Sequence, residues 1–227
     1  MLLKPKAFLF DLNGTMIDDM AYHTTAWEEI LNNDLKANLT REQVKKEMYG
    51  KNEELLVRVF GENHFTQEEM NKISMEKEKR YQKAFLPNLK LINGLNIFLE
   101  SAAEHNILMA IGSAAIPFNI DFILDNLNIR HYFKAIVSAD DVKVSKPHPE
   151  VFLKAAQLLH VDPKDCIVFE DAPKGVESAL HAGMPAVVLT TMHDKNEFEQ
   201  YNNVLAVIKD YNDKYIQQIF EETFIDQ

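Results

Sequence analysis

Phe8-Leu9-Phe10-Asp11-Leu12-Asn13-Gly14-Thr15 reads as the end of a buried strand followed at once by a tight turn. Residues 6–11 are apolar almost up to the aspartate, as in a parallel strand covered on both faces. An aspartate there sits at the carboxyl edge of the strand, and Asn-Gly-Thr makes a turn whose N–H groups suit an anion. Taken alone, Asp11 is equally a residue that ends the strand and caps the next segment. Four more apolar runs repeat the pattern at residues 107–112, 135–138, 166–170 and 186–190, with a weaker one at 204–208. Intervening segments such as 117–127 and 150–159 have helical spacing. This alternation predicts an α/β protein with a doubly wound, mainly parallel, Rossmann-like sheet. Ligands of such sheets bind outside the carboxyl ends of the strands.

About 95 residues separate the first run from the second, far more than a crossover needs. Most of this gap is polar, with helical patterns at 21–32, 41–48, 52–60 and 67–83. It predicts an inserted helical-bundle cap domain over residues 17–88, with an α/β core domain built from 1–16 and 89–227. Pro87 and Asn93-Gly94 mark the return to the core. A cap inserted beside a ligand site is suited to excluding water. The charged run Glu68, Glu69, Lys72, Glu76, Lys77, Glu78, Lys79, Arg80 reads as a solvated helix face. Trp27 reads as cap core.

The chain has 227 residues, 46% of them hydrophobic and 26% charged, which is globular composition. Its formal charge of −11 argues against general nucleic-acid binding, because an acidic surface repels phosphodiester backbones. The one cysteine, Cys166, excludes an intramolecular disulfide and a multi-cysteine zinc site, and its apolar neighbours Ile167-Val168-Phe169 predict a buried thiol. No targeting segment or membrane span is visible, so a cytoplasmic location without a membrane partner is expected. A monomer is expected. There is no dinucleotide fingerprint and no P-loop. His105, His131, His160 and His181 lack metal-ligand spacing and read as structural.

Three further strand ends carry chemistry. The second run closes Ile111-Gly112-Ser113-Ala114, offering a hydroxyl in a small-residue turn. The third leads to Ser145-Lys146-Pro147-His148-Pro149-Glu150, where two prolines stiffen the loop around a lysine. The fourth closes Phe169-Glu170-Asp171-Ala172-Pro173, placing two adjacent carboxylates after a buried strand. Such a pair is unfavourable unless a cation neutralises it, and with Asp11 it offers the hard oxygen ligands that Mg2+ prefers. Carboxylate, hydroxyl, lysine and paired carboxylates together describe phosphoryl transfer. Asp11 would be the nucleophile that forms an acyl phosphate. Ser113 and Lys146 would hold phosphate oxygens, and magnesium would screen the charge.

These four segments resemble, in order and separation, the four motifs of the haloacid dehalogenase-like superfamily. The likeness spans nearly the whole chain, and within the superfamily it is most similar to the β-phosphoglucomutase-like branch of small phosphatases and mutases. The resemblance implies Asp11 as nucleophile and Lys146 among the catalytic residues. It also implies magnesium held by Asp11, Asp171 and the backbone carbonyl of Asn13, with Glu170 assisting. Phosphate would be bound by Leu12, Gly14, Thr15, Ser113, Ala114 and Lys146. His23 falls where mutases of this branch carry a histidine at the cap hinge, and Tyr49-Gly50-Lys51-Asn52-Glu53 resembles the loop that selects substrate.

Two departures bear on activity. The family's aspartate two positions after the nucleophile is Asn13 here. An amide exchanges no proton at neutral pH, so a general acid–base contribution of ~10²–10⁴-fold is expected to be missing. A low-turnover variant, a proton supplied by another group, or a substitution that traps a state would each account for it. A leaving group that needs no protonation would tolerate Asn13 better than a sugar alkoxide. In the mutases the cap loop presents an arginine to a distal phosphate; here only Lys51 is available, without the bidentate fork. The expected function is therefore Mg2+-dependent hydrolysis of small phosphomonoesters, sugar phosphates above all. The alternatives are a β-phosphoglucomutase-like isomerase of glucose phosphates and a low-turnover phosphosugar-binding protein.

Overall fold

The computed structural model describes residues 5–220, together with the backbone of residues 2–3 and 223–224. Its contacts divide the chain into two compact units, Met1–Asp18 with Lys90–Gln227, and Asp19–Leu89.

The first unit holds a six-stranded sheet of β1 (Ala7–Phe10), β2 (Leu108–Gly112), β3 (Ala135–Val137), β4 (Cys166–Glu170), β5 (Ala186–Leu189) and β6 (Val204–Ile208). Its order is β3-β2-β1-β4-β5-β6, and every neighbouring pair is parallel. Leu2–Leu3 and Thr223–Phe224 form a separate antiparallel pair. The predicted runs 6–11, 135–138 and 186–190 each extend past the ladder at a polar residue: Asp11, Ser138 and Thr190 lie just outside β1, β3 and β5. These side chains leave the sheet at its carboxyl rim, where regular pairing ends.

Successive side chains on β1 serve opposite faces. Ala7 and Leu9 join a cluster with Phe152 and Ala155 of one helix (Glu150–Leu159) and Val176 and Ala179 of another (Pro173–His181). Phe8 stacks 5.1 Å from Phe98 of the helix Leu95–Glu104, and Phe10 stacks 4.9 Å from Phe169. Both faces of β1 are thus sealed, and all four of its residues are fully buried. The strand order runs outward in one direction from β1 and in the other from β4. The topological switch point therefore falls between these two strands, and a crevice opens there beyond their carboxyl ends.

The second unit is helical: α1 (Met20–Glu28), α2 (Arg41–Glu47), α3 (Asn52–Phe60) and α4 (Gln67–Phe85). Its core gathers Trp27, Ile30, Leu31, Val44, Leu55 and Leu56. Thr40 with Gln43 and Thr66 with Glu69 form capping boxes that start α2 and α4. One expectation is refined and another corrected. The first helix covers the expected 21–32 but changes type within it, α-helical to Glu28 and π-helical over Glu29–Asp34. The charged run on α4 is not wholly solvated. Lys77 and Glu78 are buried beside Ser74, Tyr81 and Phe85, on the face that helical spacing turns inward. Lys77 Nζ donates to Glu78 at 3.0 Å and lies 2.7 Å from His23 Nδ1. Asn52 donates to Glu78 at 2.7 Å. Burial lowers the Lys77 pKa, opposed by the charges of Glu78 and Asp19. Pairing rather than water is what makes these charges tolerable inside.

The helices of the first unit are labelled α5 (Leu95–Glu104), α6 (Pro117–Asn126), α7 (Glu150–Leu159), α8 (Pro173–His181) and α9 (Lys214–Gln218). No described helix is long and apolar enough to cross a membrane.

Candidate active site

Phe10 of β1 pairs with Phe169 of β4, so the next residues along, Asp11 and Glu170, emerge side by side at the switch point. The Asp11 N–H donates to the Phe169 carbonyl at 3.0 Å, which locks that alignment. Asp11, Glu170 and Asp171 each offer a carboxylate oxygen, all within 4.8 Å of one another. Their exposures are 7%, 1% and 4%, so the charges are held largely away from water. Lys146, on the loop after β3, donates to Asp11 Oδ1 at 2.7 Å and to Glu170 Oε1 at 2.6 Å. Its ammonium lies 4.7 Å from the centre of the Phe152 ring. Burial by itself would lower the Lys146 pKa, but Asp11 and Glu170 outweigh it and hold the pKa raised.

By formal charge, three carboxylates and one ammonium leave an excess of negative charge in a small buried volume. Such an excess is costly unless a further cation compensates it. The donors are hard oxygens on converging side chains, so the set fits a divalent cation of the magnesium type. Glu170 is fixed from a second side as well: its Oε2 accepts from the Asp171 and Ala172 N–H groups at 2.9 and 3.0 Å. These bonds tie the carboxylate to the start of α8, where the helix dipole favours an anion.

The turn after β1 is built around the same carboxylates. Gly14 has φ of +78°, and a Cβ at this position would lie 2.0 Å from Asp171 Oδ2. Only glycine meets both demands. One of the turn's amides, that of Gly14, is less available to an anion than expected. The Gly14 N–H donates to the Ile17 carbonyl at 2.8 Å and the Met16 N–H to the Leu12 carbonyl at 2.9 Å. The tight turn closes on itself, so Gly14 contributes close approach rather than a donor. Leu12 is fully buried. Thr15 donates through Oγ1 to Asp171 Oδ1 at 3.3 Å.

Ser113 follows β2 at the same rim, one strand from Asp11, and is 1% exposed. Its Oγ accepts from the Ala115 N–H at 3.1 Å, and its own N–H donates to the Val137 carbonyl at 3.0 Å. Ala114 and Asn13 are half-buried, and Asn13 forms a bridge to Ile17. The core rim thus gathers Asp11, Leu12, Asn13, Gly14, Thr15, Ser113, Ala114, Lys146, Glu170 and Asp171. His23 and Lys51 belong to the helical unit. His23 is 7% exposed, stacks 3.7 Å from Tyr81, and has Nδ1 on Lys77 and Nε2 3.3 Å from Asp19 Oδ2. Lys51 is the N-cap residue of α3, and its N–H donates to Glu54 Oε2 at 3.0 Å. Cys166 is fully buried, and burial pushes its thiol up to about 12, with Asp165 and Asp162 adding to the shift.

Sequence reasoning missed three residues here. Thr191, on the loop after β5, donates to the Gly14 carbonyl at 2.6 Å and to Asp171 Oδ2 at 3.4 Å. Its place just past a fifth strand end was the available signal. Tyr211 follows β6 and donates to the Thr15 carbonyl at 3.1 Å. Burial raises its pKa well above the ordinary phenol value, and the nearby Asp11 and Asp171 charges raise it further. No motif marks it in the sequence. The third residue is Gly175 on α8. Tyr211→Phe is expected to cost about 1 kcal/mol by leaving the Thr15 carbonyl without its donor, read as a lower urea midpoint at unchanged slope.

The family model for haloacid dehalogenase-like hydrolases matches residues 8–189. The β-phosphoglucomutase of Bacillus subtilis (strain 168) is 34% identical over 188 residues, covering 80% of this chain and 82% of its own. The fructose-1-phosphate phosphatase of Escherichia coli (strain K12) is 29% identical over 184 residues, covering 79% and 93%. Among solved structures, a HAD hydrolase, family IA, variant 3, from Entamoeba histolytica HM-1:IMSS superposes with a TM-score of 0.85 at 27% identity, covering 95% of this chain and 98% of that one.

Proposed function

The chain belongs to the haloacid dehalogenase-like hydrolase family, and from that premise we propose that it is a magnesium-dependent phosphatase of small phosphomonoesters, sugar phosphates first among them. The observation that carries this reading is the convergence of Asp11, Glu170, Asp171 and Lys146 at the β1–β4 switch point. Asp11 is the nucleophile: one carboxylate oxygen attacks phosphorus, and the bond to the leaving oxygen breaks to give an aspartyl-phosphate. Lys146 pairs with the Asp11 carboxylate at 2.7 Å and presents positive charge to the incoming phosphate, which offsets the repulsion between two anions. Water then attacks the same phosphorus, the bond between the Asp11 oxygen and phosphorus breaks to regenerate the carboxylate, and inorganic phosphate leaves with the water's oxygen while the released proton passes to solvent. Asp11, Asp171 and the Asn13 carbonyl would hold magnesium, with Glu170 assisting. The ion would supply charge screening between carboxylates and phosphate.

Sugar phosphates come first because two relatives are named for chemistry on them. The mutase relative favours a second reading, isomerisation of glucose phosphates. Against it, residues 49–53 contain no arginine. The next arginine along, Arg58, is spent within its own unit on Glu47 at 3.1 Å and on the Glu47 and Tyr49 carbonyls at 2.6 and 2.7 Å.

The test is inorganic phosphate release from a panel of sugar phosphates and simpler esters, with Mg2+ and after chelation. Release that needs the ion is expected, and restoring Mg2+ should restore it. Appearance of glucose 6-phosphate from β-glucose 1-phosphate with a trace of the bisphosphate would favour the mutase. Should neither this protein nor its Asn13→Asp variant release phosphate from any ester, the enzyme reading gives way to a phosphosugar-binding protein.

A further inference from the structure

Gly175 lies in the first turn of α8, and its backbone is ordinary helix with no left-handed φ. Glycine is among the poorest helix formers, so a helical glycine without a backbone reason needs another one. The surroundings supply it. A Cβ at position 175 would lie 1.8 Å from Glu170 Oε1, 1.9 Å from Glu170 Cδ and 2.4 Å from Glu170 Oε2. All three of its nearest contacts belong to that one carboxyl group. Gly175 is itself buried, so an added methyl has no open side to turn to.

The carboxyl group cannot easily step aside either. It is 1% exposed and held on one oxygen by Lys146 at 2.6 Å and on the other by the Asp171 and Ala172 N–H groups. Displacing it breaks these bonds together. Of its two ion pairs Lys146 would then keep only that with Asp11 at 2.7 Å, and its ammonium would shift within the cluster.

We propose that Gly175 is a positioning residue of the active site: the missing side chain is the berth for the Glu170 carboxylate, and through Lys146 it sets where charge lies beside Asp11. Its bearing on turnover rests on the phosphatase reading above, whereas its bearing on carboxylate geometry and ion binding does not.

Gly175→Ala improves the helix locally while evicting Glu170, so fold and site respond differently. The variant is expected to keep its circular dichroism spectrum and to bind Mg2+, titrated calorimetrically in the whole protein, about 10–100-fold more weakly. The decisive readout is the interplay with Glu170→Asp, which withdraws the carboxylate by one methylene. Alone, Glu170→Asp should weaken ion binding, because the shorter side chain reaches Lys146 poorly. On the Gly175→Ala background it should strengthen binding by tenfold or more, because it vacates the space the methyl needs. A merely structural glycine gives no such change of sign.

Binding by Gly175→Ala at the strength of the unchanged protein, or effects of the two substitutions that simply add, would overturn the proposal. If Gly175→Ala fails to fold, the double variant decides: recovery of fold and binding supports the berth, and failure to recover overturns it. Phosphate release measured on the same proteins keeps the two readings apart. Its absence from every form counts against the phosphatase, while the sign change in ion binding still counts for the berth.

Discussion

Replacing Asp11 with asparagine is expected to lower phosphate release by about 10⁴-fold or more while leaving the protein folded. The amide oxygen is a poor nucleophile and cannot form the acyl phosphate. The change in size is small, and Asp11 sits in a pocket whose backbone is fixed by the Phe169 carbonyl, so geometry should be retained. Stability should hold or rise. Asp11, Glu170 and Asp171 crowd their charges together, and removing one of three relieves repulsion while Lys146 keeps Glu170 at 2.6 Å. The check has two parts. Brief exposure to a phosphate-labelled substrate and acid quench should leave label on the unchanged protein and none on Asp11→Asn. Thermal unfolding in chelator should give a melting temperature no lower than before. A variant that still releases phosphate within tenfold of the original removes Asp11 from the nucleophile's role.

Much of this site was legible because its residues sit at strand ends. A buried parallel strand is a continuous apolar run, and the polar residue that stops it marks the rim. Asp11, Ser113, Glu170 and Asp171 could be found that way, as could the parallel α/β sheet itself. What the sequence concealed is of a different kind. Tyr211 acts through a single hydroxyl on a carbonyl 196 positions away, and no local pattern encodes such a bond. Gly175 matters for what it lacks, and a glycine inside a helical pattern reads only as a weak helix.

The misreadings share a cause too. The Asn13-Gly14-Thr15 turn looked open to an anion at every amide, because a sequence cannot say that the Gly14 N–H is already committed to the Ile17 carbonyl. The charged run on α4 looked solvated, because composition outweighs phase when charges occupy nearly every position. The spacing of Ser74, Lys77, Glu78, Tyr81 and Phe85 carried the inward face all along. Lys77 and Glu78 satisfy each other there, a pairing invisible until His23 and Asn52 are brought alongside.

Asn13→Asp is the complementary experiment, and the expected result is a gain. Departure of an alkoxide from phosphorus needs a proton, and several described donors near Asp11 already have protein acceptors. Lys146 donates to Asp11 and Glu170, Thr15 to Asp171, Thr191 to the Gly14 carbonyl and Tyr211 to the Thr15 carbonyl. His23, in the helical unit, has one ring nitrogen on Lys77 and the other facing Asp19. An aspartate at 13 would join a rim already rich in carboxylates, and like charges raise a carboxyl pKa, which is what a proton donor requires. Turnover of sugar phosphates should therefore rise by ~10²–10⁴-fold in the variant. Aryl or acyl phosphates, whose leaving oxygens are stable as anions, should gain far less. The original protein should in consequence show a steep fall in kcat/KM as leaving-group pKa rises, and the variant a shallow one. Rates for a series of substituted phenyl phosphates, set beside a sugar phosphate, measure both slopes. Equal slopes in the two proteins would mean that the proton reaches the leaving oxygen by another route, and that Asn13 is no handicap to the chemistry.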